Sequence, residues 1–335
     1  MTQPHVDTGP IPLEADTKRR IIQTLTEKIR DLYIFPDTGE QICNRLQGHA
    51  QAGEYADITD GELFALALTM HMHEVSHDEH LWVRWHAEPL PDENPLRENQ
   101  ERQEQLRLEG KADNYGFQKV EILPGNIGYL EIRYLHRPEW GGETVTAAMN
   151  FVANTQALIF DLRKCTGGYP GMIALICSYL FGEEPLLLES IYWKDDNRTQ
   201  EFRTLRELPG KRFGEKPVHI LTSKETFSGG EDLAYILQTR KRATVFGEKT
   251  DGGAHPGASY RLHPHFEVFI PIGRVTNAVT HTDWEGTGVT PDVLLPKEDA
   301  FRAAYQRALE AILENPDKET AREARKTLDE LLSRQ

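Results

Sequence analysis

Residues 222–253 read TSKETFSGGEDLAYILQTRKRATVFGEKTDGG. An apolar run, Val218, His219, Ile220 and Leu221, stops at Thr222-Ser223, and Phe227-Ser228-Gly229-Gly230 then opens a helix-like stretch. A hydroxyl on a sharp strand-to-helix turn, followed by glycines, is how a serine nucleophile is presented. The turn exposes Oγ, the small neighbour lets a carbonyl approach, and the first free N–H groups of the helix face a developing oxyanion. The same residues also read as an ordinary capping serine, because Ser is a favoured N-cap. Local pattern leaves both readings open.

Working outward, the flanking segments alternate. Ile127–Ile132 reads as a strand, Thr144 to Val152 as a helix, and Ala157–Leu162 as a buried strand. The turn Thr166-Gly167-Gly168 leads into an apolar helix over Met172–Leu180, and Pro217–Leu221, Ala243–Gly247 and Phe266–Ile272 supply further strands. This alternation predicts an α/β core over residues 119–298. Before it, residues 1–15 look like a flexible arm and residues 16–84 like a small helical domain. Its first helix places Ile21, Ile22, Leu25, Ile29 and Leu32 on one face; Phe35-Pro36-Asp37-Thr38-Gly39 breaks it, and a second helix runs from about Glu40. Asp60 caps a third, with Leu63, Leu66, Ala67 and Met70 as its apolar stripe. Residues 85–118 form a charged linker carrying one exposed helix, and residues 299–335 are C-terminal helices broken at Asn315-Pro316.

Composition excludes several classes. The 335 residues carry a formal net charge of -15, which repels nucleic-acid backbones and anionic membranes. The first twenty residues lack the apolar core of a signal peptide, and no apolar run reaches membrane-spanning length. Three cysteines, Cys43, Cys165 and Cys177, are too few for a disulfide framework. A cytoplasmic protein with reduced thiols is expected, with no nucleic-acid or membrane partner. Oligomeric state is not legible.

A nucleophilic serine needs a base, and the base an orienting acid. His80 lies in HDEHLWV at the entry to an apolar segment, and Glu285 in the tight turn WEGTGVTPD. Each also reads as an ordinary loop residue. His73-Glu74-Val75-Ser76-His77 matches H-E-x-x-H, which on one helix face would hold zinc. The third ligand of the known zinc families is missing at its spacing, so no metal or other cofactor is expected.

Taken in order, the blocks VSHDEHLWV, GNIGYLEI, IFDLRKCTGG, TSKETFSGGEDLAYILQ with RATVFGE and GGAHPG, and WEGTGVTPDV span roughly residues 20 to 300. In that order the chain resembles the tail-specific (C-terminal-processing) serine peptidases, in the branch similar to interphotoreceptor retinoid-binding protein repeats and to tricorn-like peptidases. The resemblance implies a ClpP/crotonase-like α/β core, with an active site between the N-terminal helical domain and that core. It implies Ser228 as nucleophile, His80 as base, Glu285 as the acid of the charge network, and an oxyanion hole from Gly229 with the Gly167-Gly168 turn. His255 in GGAHPG lines the site or competes for the role of base, and Cys165 stands where relatives often carry asparagine.

The chain also departs from the pattern. Where a Ser–Lys dyad needs its lysine, Thr250-Asp251-Gly252-Gly253-Ala254 holds glycine, and Lys249 is out of register. Glu79 replaces the serine that precedes the histidine in tricorn-like relatives, and no PDZ module fits between Val83 and Gly125. The expectation is a serine hydrolase, a peptidase by resemblance, acting on a peptide or small acyl substrate through a histidine base. The alternatives are a catalytically silent binder of a hydrophobic, retinoid-like or lipid-like ligand, and a zinc peptidase.

Overall fold

The computed structural model describes residues 13–90, 95–314 and 318–333. Along the chain run α1 (Ala15–Leu32), α2 (Pro36–Gln51), α3 (Gly61–Ser76), β1 (Trp82–Trp85), α4 (Pro95–Ala112), β2 (Phe117–Leu123), β3 (Ile127–Ile132), α5 (Pro138–Val152), β4 (Ala157–Asp161), α6 (Pro170–Leu180) and β5 (Leu187–Trp193). They are followed by β6 (Arg198–Arg203), β7 (Val218–Thr222), α7 (Gly229–Thr239), β8 (Thr244–Gly247), β9 (Gly257–His263), β10 (Phe266–Pro271), β11 (Gly273–Asn277), β12 (Val293–Leu294), α8 (Lys297–Glu314) and α9 (Lys318–Ser333). These elements fall into two compact units. The first comprises Met1–Glu98, Trp193–Arg198 and His255–Arg274; the second comprises Asn99–Tyr192, Thr199–Ala254 and Val275–Gln335.

In the first unit, α1 buries Ile21, Ile22, Leu25 and Ile29, as its periodicity predicts. Lys18 is buried too, and its ammonium donates to the carbonyls of Tyr55, Ala56 and Ile58 at 2.7, 2.8 and 3.0 Å. Those three acceptors offset the desolvation of its charge. Strands β1, β10 and β9 form an antiparallel sheet in the order β1-β10-β9.

The second unit is built on a six-stranded sheet in the order β12-β8-β7-β4-β3-β2. All neighbours are parallel except β2, which runs antiparallel to β3. Strands β4 and β7 are buried at every position. Strands buried along their whole length suit a parallel sheet covered on both faces. Helix α8 covers one face, burying Ala300, Ala304, Ala308 and Leu309 in a cluster with Ile159, Leu221 and Phe246. Helices α5 and α7 pack on strands of the same sheet and are linked through α6. The carboxyl ends of β4 and β7 feed the loops at 162–169 and 223–228, where open α/β sheets place their chemistry. Among the described residues, no helix is long and apolar enough to cross a membrane.

Several sequence expectations need correction. Pro36 starts α2 rather than breaking the chain up to Glu40, because proline suits the first helical position, where its missing N–H has no partner to lose. Helices α5 and α6 likewise begin at Pro138 and Pro170. On α3 the stripe Leu63, Leu66 and Met70 is exposed, and Phe64, Ala65, Leu68 and Met72 are buried instead. That helix is apolar on nearly every side, so periodicity could not select a face. The structure adds strands β1, β2, β5, β6, β9, β11 and β12 to those the sequence predicts. The arm expected over residues 1–15 lies, apart from its last three residues, outside the described residues, as does the break at Asn315-Pro316.

Candidate active site

Ser228 occupies the N-cap position of α7 with φ 51° and ψ -121°. This left-handed conformation is strained for a residue with a Cβ and is held only when the surroundings over-determine it. The surroundings are visible. The N–H of Leu162 donates to the Leu221 carbonyl at 3.0 Å, and that of Phe227 to the Cys165 carbonyl at 2.9 Å. The Thr226 hydroxyl donates to the Leu162 carbonyl at 2.8 Å and the Ser223 hydroxyl to the Arg163 carbonyl at 2.5 Å. The loop after β4 and the loop after β7 are thereby stitched into one rigid pair.

Against Ser228 lies the Gly167-Gly168 turn. A Cβ on Gly167 would stand 2.9 Å from the Ser228 Cβ, and a Cβ on Gly229 would stand 2.8 Å from the Gly168 N. Gly168 has φ 139°, and a Cβ there would meet the Leu135 carbonyl oxygen at 2.2 Å. The turn is fixed from outside by Leu135, whose N–H donates to Gly167 O at 2.8 Å and whose carbonyl accepts from Tyr169 at 2.7 Å. Two glycine turns thus meet at the serine, leaving room for backbone and for a small oxygen but for no side chain.

Glu231, in the first turn of α7, is fully buried and was not singled out in the sequence. Its carboxylate accepts from the Ser228 N–H at 2.8 Å, the Thr250 hydroxyl at 2.6 Å, and the N–H groups of Gly252 and Gly253 at 2.8 and 3.0 Å. Burial raises its pKa to about 6, opposed by these hydrogen bonds. Gly253, where a dyad lysine would stand, is therefore a backbone donor to the same carboxylate that holds Ser228. The pattern Ser-x-x-Glu, the capping box, was the available signal. Glu285 accepts from the Ala254 N–H, and Trp284 Nε1 donates to the Gly253 carbonyl at 2.9 Å, so the WEGTG turn clamps the same segment. Cys165 is buried and free of disulfide, and burial pushes its thiol up to about 12, which leaves it no thiolate at neutral pH.

In the first unit, His255 Nδ1 lies 2.9 Å from Asp78 Oδ2. Asp78 is buried and is also held by the Tyr33 hydroxyl at 3.0 Å and the His80 N–H at 3.1 Å. Asp78, unflagged in the sequence, is thus the carboxylate that orients a candidate histidine. His80 is buried beside it, and burial is the main reason its pKa falls to about 4, with the His255 charge adding to the fall and Asp78 opposing it. The H-E-x-x-H pattern does not converge on a common point. His73 Nε2 bonds the Leu81 carbonyl at 2.8 Å, and His77 leaves the helix as its left-handed C-cap.

Residues 126–295 match the profile described as peptidase family S41, and residues 15–113 match that of the N-terminal domain of peptidase S41 in eukaryotic IRBP. The chain belongs to peptidase family S41. It is 36% identical over 194 residues to carboxyl-terminal-processing peptidase 2, chloroplastic, of Arabidopsis thaliana, covering 53% of this chain and 36% of that protein. The chain therefore spans little more than a third of the length of the curated relative it matches. Among solved structures, a putative peptidase from Parabacteroides merdae superposes with a TM-score of 0.57 at 18% identity, covering 87% of this chain and 96% of that one. A lipoprotein from Streptococcus agalactiae gives 0.57 at 13% identity, covering 93% and 100%. At these identities the S41-like fold is shared and nothing finer follows.

Proposed function

We propose that this S41 chain is a serine hydrolase, a peptidase in its family context, working through an acyl-enzyme on Ser228. The observation that carries the reading is the left-handed Ser228 pressed against the Gly167-Gly168 turn. An ordinary capping serine needs neither the strain nor the second glycine turn. In the proposed reaction Ser228 Oγ attacks a substrate carbonyl and gives up its proton to a histidine. The N–H groups of Gly229 and of the Gly167-Gly168 turn stabilise the oxyanion, each donor being worth about 3 kcal/mol in the transition state. The histidine returns the proton to the leaving group, and water then releases the acyl group.

Of the two candidate bases we favour His255. Its Nδ1 is committed to Asp78, which fixes the tautomer so that Nε2 is the nitrogen to take the proton. His255 also follows Gly252 and Gly253 in the chain, and Glu231 pins both of those. His80 supports Asp78 through its backbone N–H, and Glu285 acts through the Ala254 N–H. The substrate class proposed is a peptide or small acyl compound.

The test is intact-mass analysis after incubation with a fluorophosphonate probe. A single adduct on Ser228, absent from Ser228→Ala and slowed far more by His255→Ala than by His80→Ala, is expected. No adduct on demonstrably folded protein would sink the nucleophile assignment. Equal labelling of the His255 variant and the wild type would sink the choice of base.

A further inference from the structure

The glutamate of the H-E-x-x-H pattern does meet two imidazoles, but not those of its own motif. His49 in the last turn of α2, and His71 and Glu74 in α3, bring one ligand atom each to within 4.8 Å of one another. We propose that these three residues form a zinc site that clips α2 to α3.

The donor set is two imidazoles and a carboxylate, which suits zinc in a tetrahedron completed by water. The outer partners are already in place. His49 Nδ1 lies 2.6 Å from Glu54 Oε2, and His71 Nδ1 lies 2.8 Å from the Tyr55 hydroxyl. Carboxylate and hydroxyl partners on Nδ1 are how metal-binding histidines are oriented so that Nε2 faces the ion. His49 Nε2 is buried without a hydrogen-bond partner. It stands 3.8 Å from Glu74 Oε2, too far for a hydrogen bond and close to the ~3.3 Å that separates two ligands of one tetrahedral zinc. Arg45 Nε, at 2.8 Å, and Arg45 Nη2 both donate to that same Oε2, holding Glu74 in position. The His49 and His71 rings are stacked at 3.6 Å and 7°. Parallel rings do not aim both lone pairs at one point, so loading must tilt an imidazole about its broad χ2 well. Glu54 and Tyr55 come from the connection between the two helices, so the whole assembly belongs to one helical hairpin.

The experiment is titration of the chelator-stripped full chain with zinc chloride by calorimetry, with melting followed in parallel. One saturable zinc per chain and a zinc-dependent rise in Tm are expected. Glu74→Gln, an exposed change that does not threaten the fold, should weaken binding at least as much as the about 10–100-fold seen when outer-shell partners are lost. His71→Gln should weaken it further and abolish the Tm rise, with far-UV circular dichroism checking that the helices persist. His263→Gln, remote in sequence on β9, should bind zinc like the wild type. Absence of saturable binding, or undiminished binding by both Glu74→Gln and His71→Gln, would overturn the site.

Discussion

Glu231 and Asp232 are consecutive residues in the first turn of α7, both buried, and their surroundings are opposite. Glu231 faces four donors: two glycine N–H groups, the Ser228 N–H and the Thr250 hydroxyl. Asp232 meets another acid, the buried Glu189 of β5, and one oxygen of each, Asp232 Oδ1 and Glu189 Oε2, finds no hydrogen-bond partner. Burial lifts Glu231 from 4.5 to about 6, and it lifts Asp232 from 3.8 to about 7 with help from the charge of Glu231. Glu189 is raised well above 4.5 by burial and by Asp232. Buried side by side, the two acids titrate as a unit. Burial alone does not decide what a carboxylate does; the number of donors aimed at it does. The well-served carboxylate builds the serine turn.

The same carboxyl-to-amide change at adjacent positions should therefore have opposite signs. Glu231→Gln turns one acceptor oxygen into a donor that faces buried donors. It should cost about 2–4 kcal/mol of stability, read from urea midpoints, and abolish probe labelling through loss of the Ser228 turn. A variant as stable and as reactive as the wild type would dissolve the contrast.

Asp232→Asn removes a titrating group whose folded pKa lies above its unfolded one. A raised acid contributes stability that is fully present below the unfolded value of about 4 and is lost as pH rises through about 7, since the folded state binds the extra proton. The variant escapes that loss. Its advantage over the wild type should be near zero around pH 4 and grow to about 1–3 kcal/mol by pH 9. Melting curves across that range check it, and parallel pH profiles for the two proteins would break the comparison.

The smallest expected effect concerns the strain at Ser228. Ser228→Ala keeps the Cβ at φ 51°, whereas Ser228→Gly relieves it. The glycine variant should be the more stable of the two by about 1 kcal/mol, and both should be unreactive. Identical melting temperatures would mean the turn stores no strain.

Much of the site was readable because it is local. A serine followed by two glycines after an apolar strand, and a Thr-Gly-Gly turn after another, announce their own backbone geometry within a few residues. Glu231 was readable in principle from the same window, as the fourth residue of a capping box, but its glycine donors lie twenty-odd positions downstream, beyond any local pattern. Asp78 carries no local signal that sets it above His80, two residues away, because only contact with His255 singles it out. The H-E-x-x-H pattern misled in an instructive way: helical spacing brings Glu74 near His71, while His49 arrives from another helix. On α3, apolar residues on every side left the buried face undecided until Phe64 and Leu68 had neighbours.

The sequence by itself determined the α/β alternation, the S41 order of blocks, and the serine and glycine turns. Those features depend on steric limits that each short segment carries with it. Only the tertiary structure decided which carboxylate serves Ser228, which acid orients His255, which buried acids titrate together, and which imidazoles meet Glu74. Those pairings join residues distant in the chain, and hydrogen bonds and burial act through space, so no local window contains them.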